Sequence, residues 1–122
     1  MAYIVIEAPL HTVVETPEFR GTAQRILTEA EKTALINFVA ANPLDGDLMP
    51  GTGGARKLRW GAKGKGKSGG ARVITFYAGP RLPVFLLTIF GKGEKANLTM
   101  AERNELRTIL ASLVTAYRRG RD

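Results

Sequence analysis

Cysteine is absent from this chain of 122 residues, and histidine occurs once, at His11. The first absence excludes disulfides and thiolate metal centres. The second rules out nucleic-acid cleavage by a pair of histidines. Metal ligands are not clustered either: Asp45 and Asp47 share a loop with no third partner and read as turn chemistry. There is no G-x-S-x-G nucleophile motif. No stretch approaches 18 apolar residues, so no membrane span is expected. The start, MAYIVIEAPLH, has no basic leader and carries Glu7 and Pro9 early, so no signal peptide and a cytoplasmic location are expected. The length suits one domain, spanning residues 1–122, with one modest core.

Acidic residues are missing from Leu48 to Gly93. That stretch holds nine basic residues: Arg56, Lys57, Arg59, Lys63, Lys65, Lys67, Arg72, Arg81 and Lys92. The rest of the chain carries nine basic and eleven acidic residues, so the whole net charge of +7 has its origin in the middle third. A block of this kind implies a polyanionic partner, nucleic acid above all, over a face kept basic for solubility.

The pattern along the chain is that of an α+β domain. Tyr3 to Glu7 and His11 to Glu15 supply one or two strands. Thr16-Pro17 caps a short helix, expected to break around Gly21. Thr28 to Asn42 is a firmer helix with a T-x-x-E capping box and an apolar stripe of Leu35, Ile36, Val39 and Ala40. Residues 43–55 read as a loop. Lys57 to Trp60, Ala71 to Ala78 and Pro83 to Phe90 follow as a three-strand antiparallel meander. The last of these is apolar enough to be a central strand buried on both sides. A second capping box, Thr99 with Glu102, opens a final helix whose apolar positions run from Leu106 to Tyr117. The helices are expected on one face of a small antiparallel sheet.

Between the first two strands of the meander lies GAKGKGKS, Gly61 to Ser68, which fits the phosphate-loop pattern G-x-x-x-x-G-K-[ST]. A phosphate loop works by leading into a helix whose N-terminus meets the phosphates. Here Gly69-Gly70 and the strand ARVITFY follow, so the segment is a basic hairpin connection and nucleotide binding is not expected. Lys63, Lys65 and Lys67 alternate with glycine. In an extended segment they would project on one side, and like charges lower a lysine's pKa, which suits a general base. The same lysines in a solvated loop would merely attract phosphate. Trp60 and Tyr77 could stack on bases beside the loop, although each also suits a core.

PGTGGARKLRWGAKGKGKSGGARVITFY, then LLTIFGKGEKANLT and a last helix, resembles the RelE/HigB branch of bacterial type II toxins. The likeness covers about residues 12 to 115, and its three glycine-rich, basic segments fall in the family's order. It implies a small antiparallel sheet with helices packed on it, the RelE/ParE toxin-like fold. It also implies a metal-independent endoribonuclease, with no cofactor, that cuts messenger RNA in the ribosomal A site. The 2′-hydroxyl would attack the adjacent phosphate. The partner implied is a helix-turn-helix antitoxin.

Carried over by position, the resemblance makes Arg72 the group that stabilises charge on the phosphate, and Lys65 or Lys67 the general base. Arg56, Lys57, Arg59, Trp60, Lys63, Lys92 and Lys95 become RNA contacts. Some members carry an arginine and a tyrosine before the last helix. This chain has Lys92, Gly93 and Lys95 there, and Thr99 where that tyrosine would fall, so no acid for the leaving group is assigned. Two other readings stay open: an inactive relative that serves as a binding or regulatory module, and a gyrase poison of the ParE type. Growth arrest relieved by a co-expressed neighbour separates toxin from module. The sequence leaves the oligomeric state open.

Overall fold

A computed structural model describes residues 10–62, 70–93 and 97–119. The strand expected over Tyr3 to Glu7 lies outside them. Strand β1 covers Val13–Glu15 and leads directly into helix α1, Pro17–Ile26. Thr16 sets that junction. Its Oγ1 accepts a bond from the Phe19 amide at 3.1 Å and donates to the Leu87 carbonyl at 2.8 Å, so one hydroxyl caps the helix and ties it to the sheet. The helix runs on through Gly21 without the expected break. Phe19, Ala23 and Ile26 form one buried stripe across that position, and their burial outweighs the ~1 kcal/mol cost of a helical glycine.

Helix α2, Glu29–Ala41, carries the capping box read from the sequence. The Thr28 amide donates to Glu31 Oε1 at 2.9 Å, and the Glu31 amide donates to Thr28 Oγ1 at 3.1 Å. Leu35, Val39 and Ala40 are its buried positions. Asn42 ends it, with Pro43 next.

Residues 43–55 are more than a loop. They contain β2, Asp47–Leu48, and the first residue of β3, Ala55–Trp60. Gly46 permits this return. Its φ is +102°, and a Cβ there would sit 3.0 Å from the Lys57 carbonyl oxygen, so the chain can turn back against β3 only with glycine. Strand β4 is Ala71–Tyr77, β5 is Val84–Gly91, and helix α3 is Met100–Arg119. The capping box of α3 is formed as expected. The Thr99 amide donates to Glu102 Oε1 at 2.8 Å, and the Glu102 amide donates to Thr99 Oγ1 at 3.1 Å.

The five strands lie in the order β1-β5-β4-β3-β2. The meander β3-β4-β5 is antiparallel, whereas β1 joins the edge of β5 in parallel. A parallel neighbour needs a crossover rather than a hairpin, and here most of the chain separates the two strands. Strand β5 lies inside the sheet with both faces covered, as its apolar run requires.

The helices do not share one face. Leu58, Val73, Val84, Leu86 and Ile89 pack with Phe19, Leu35 and Val39 of α1 and α2. Ile74, Phe76, Phe85, Leu87 and Phe90 pack with Leu110 of α3. Strand side chains alternate in direction, so these are opposite faces, each under its own helices. Because the meander is apolar on both faces, one layer of helices could not cover it.

Candidate nucleic-acid interface

Strand pairing decides which basic residues meet. Arg59 of β3 stands opposite Arg72 of β4, and Arg72 stands opposite Phe90 of β5. Lys57 stands opposite Ile74, one row further along. Phe90 and Ile74 belong to the core under α3. Lys57, Arg59 and Arg72 therefore project on the α3 face, at the end of the sheet where β3 and β4 are joined by the basic hairpin.

Their exposures differ. Arg59 is exposed, Lys57 is half-buried, and Arg72 is 7% exposed. The Arg72 guanidinium donates to the Ala71 carbonyl oxygen at 3.3 Å. Low-dielectric surroundings strengthen the pull of a guanidinium on an anion. Lys57 Nζ lies 3.5 Å from Asn97 Oδ1, and that oxygen also accepts the Leu98 amide at 3.1 Å. Asn97 thus ties the approach to α3 onto β3. Sequence reading missed it, although its place two residues before the capping Thr99 marks where α3 must be set down.

The two glycine- and lysine-rich loops meet at Gly70. The Lys92 amide donates to the Gly70 carbonyl at 3.1 Å. A Cβ on Gly70 would lie 2.3 Å from the Trp60 carbonyl oxygen and 2.8 Å from the Ala62 amide nitrogen. The neck of the hairpin closes because this residue has no side chain. The exposed Lys92 is consequently held beside the hairpin base. Lys63, Lys65, Lys67 and Lys95 lie outside the described residues.

Two expected contacts point elsewhere. Trp60 turns to the α2 face: its ring is 5.4 Å from that of Phe38, and its Nε1 donates to the Glu31 carbonyl at 3.3 Å. Arg56 faces the same way and donates to the Gly46 carbonyl at 3.1 Å. Alternation along β3 accounts for both, since neighbours of Lys57 and Arg59 must take the other face. Tyr77 closes the far end of β4 and does not neighbour the basic loop. Its ring meets His11 edge-on at 5.0 Å. A groove of about 920 Å³ opens at that far end between Leu10, Val14, Arg81, Pro83 and Tyr117. It holds none of the residues gathered around Arg72.

A basic, partly sunken cluster beside a lysine-rich hairpin can grip a phosphate chain and offset charge developing on it. A family model described as the RelE toxin of the RelE/RelB toxin–antitoxin system matches residues 13–120. The chain belongs to the RelE toxin family. Membership makes it the toxin of a toxin–antitoxin pair and implies an antitoxin partner.

In this RelE-family toxin the GTGG segment has a structural task. Thr52 is fully buried; its Oγ1 donates to the Met49 carbonyl at 2.7 Å and accepts the Ala55 amide at 3.0 Å. That staple fixes where β3 begins, and so fixes the phase in which Lys57 and Arg59 face α3. Among the described residues, no group of three or more His, Cys, Asp or Glu side chains could hold a metal ion. No described helix is long and apolar enough to cross a membrane.

Proposed function

We propose that the chain is a metal-independent endoribonuclease of the HigB branch that cuts messenger RNA in the ribosomal A site. The observation that carries this reading is the cross-strand cluster of Lys57, Arg59 and Arg72 at the base of the lysine-rich hairpin. Arg72 offsets the charge that gathers on the phosphate oxygens, a contribution of roughly 2.7–4 kcal/mol if it equals a single oxyanion-hole donor. Arg59, Lys57 and Lys92 hold the flanking phosphates, with Lys63 and Lys95 as further contacts. Lys65 or Lys67 takes the proton from the 2′-hydroxyl, which is already beside the phosphate it attacks. The O2′–P bond forms and the P–O5′ bond breaks. The departing O5′ takes a proton from water, and the products are a 2′,3′-cyclic phosphate and a 5′-hydroxyl. Trp60 and Arg56 shape the hairpin base and the turn before β2 rather than touching RNA.

The experiment is to map cleavage ends on messenger RNA in programmed ribosomes. A 2′,3′-cyclic phosphate (or the 3′-phosphate it opens to) with a 5′-hydroxyl is expected. A message with a 2′-O-methyl group at the cut nucleotide should survive. Ends bearing 5′-phosphate, or cutting of the blocked message at the same bond, overturn the mechanism.

A further inference from the structure

Helix α3 carries its charges on separate flanks. Glu102, Glu105, Leu106 and Ile109 border a small cavity with Glu18 and Thr88 on the side toward α1 and β5. Arg103 and Arg107 lie one turn apart on another flank. The Arg103 guanidinium donates to the Pro50 carbonyl at 3.3 Å, and the Arg107 side chain packs over Gly53, 3.5 Å from where a Cβ would stand. Both therefore lean on the turn that delivers β3. Just ahead of α3, Asn97 meets Lys57. From the hairpin end the α3 face presents Arg72 and Arg59, then Lys57, then Arg103 and Arg107 beside the Pro50–Gly54 turn.

Two arginines at i and i+4 repel each other by a few tenths of a kcal/mol. Glu102 accepts the Thr99 amide, and the Arg107 guanidinium meets the neutral Asn104 oxygen at 3.3 Å. From Leu48 to Gly93, the stretch that holds the turn and β3, there is no acidic residue at all. Asp47, at the β2 edge, stands opposite Lys57; the other charges placed along this line are all positive, an arrangement made at a cost, and a chain of phosphates is a ligand whose sign it meets.

We propose that Arg103 and Arg107 form, with Lys57, a phosphate track for single-stranded RNA running from the Arg59–Arg72 pair along α3 to the Pro50–Gly54 turn. The track binds backbone and reads no base. It rests on the RNA-cleaving function proposed above and extends that site away from the scissile phosphate. It predicts that Arg103 and Arg107 contribute to capture and not to the chemical step.

The test measures binding of a fluorescein-labelled, fully 2′-O-methylated single-stranded RNA between about 50 and 200 mM salt. Loss of two phosphate contacts in an Arg103→Ala/Arg107→Ala variant should reduce the slope of log K against log salt by about 1.4. An Arg103→Lys/Arg107→Lys variant keeps the charge and should keep the slope. On programmed ribosomes the alanine pair should raise KM and leave kcat unchanged. An unchanged slope in the alanine pair overturns the track. So does a lysine pair as weak as the alanine pair, which would mean that the arginines only brace the Pro50 turn. So does an unchanged slope together with slower antitoxin association, which would assign the flank to the protein partner. If the wild-type chain leaves ribosome-bound message intact while the slope changes as stated, the track stands and the proposed function falls.

Discussion

Arg59 and Arg72 stand directly opposite each other on β3 and β4, two like charges in the cross-strand position where opposite charges would stabilise the sheet. Arg59 is exposed and Arg72 is buried, so Arg59 can be changed without opening the core. An Arg59→Thr variant should be more stable by about 0.2–1 kcal/mol, since it removes the repulsion and adds a residue suited to strands. It should also cut RNA more slowly. Urea unfolding and ribosomal cleavage, run on the same preparation, check both halves. A variant that is less stable and fully active would show that the pair serves the fold.

Burial gives Arg72 a double role. With 7% exposure, truncation to alanine should remove activity and also lower stability by about 1–3 kcal/mol, through lost packing and hydrogen bonds left without their donor. An Arg72→Lys variant should keep more of the stability while losing most of the activity, because lysine lacks the planar fork that meets two phosphate oxygens at once. Melting temperatures and cleavage rates of the two variants separate the roles. Full activity in Arg72→Lys would reduce Arg72 to a simple positive charge.

Gly70 should be intolerant of any side chain. A Cβ there meets backbone at 2.3 Å, and backbone cannot rotate away as a side chain can. Gly70→Ala should destabilise by at least about 1–3 kcal/mol, the usual range for overpacking. It should also reduce cleavage in the surviving folded fraction, because the neck that holds Lys92 against Gly70 must open. Gly21→Ala, in the open on α1 with nothing within 4 Å, is the control and should stabilise by roughly 0.5–1 kcal/mol. Thermal melts of the two variants give the comparison.

Much of the fold was legible because its signals are local. Both capping boxes, the proline after Thr16 and the apolar run of β5 act within a few residues of where they stand. The parallel placement of β1 and the sharing of helices between two faces were not legible in the same way. They depend on which surfaces remain uncovered once the meander has formed, and no short stretch of sequence records that. The site divides similarly. The acid-free block and the hairpin were visible as composition. Which arginines look at each other depends on register, and Thr52, which fixes where β3 begins, and Gly70, at the neck between β3 and β4, carry no charge to draw attention. Trp60 shows the limit most clearly: it is next to Arg59 in the chain and on the other side of the sheet from it.

The division of labour among the lysines gives the last prediction. Arginine keeps a positive charge but cannot give up a proton near neutral pH. Where a lysine only holds a phosphate, replacement by arginine should be tolerated; where it takes the proton from the 2′-hydroxyl, replacement should be severe. Lys57 Nζ sits 3.5 Å from Asn97 Oδ1, with Asp47 opposite it on β2, and Lys57→Arg should leave kcat within a few-fold of wild type. Lys65→Arg and Lys67→Arg should part company. The one that acts as base should lose about 10²–10⁴-fold in kcat with KM little changed, and the other should resemble Lys57→Arg. Single-turnover cleavage on programmed ribosomes measures the chemical step apart from capture. If Lys57→Arg is the severe variant and both loop variants are mild, the proton acceptor lies on β3 and the hairpin lysines serve only to hold RNA.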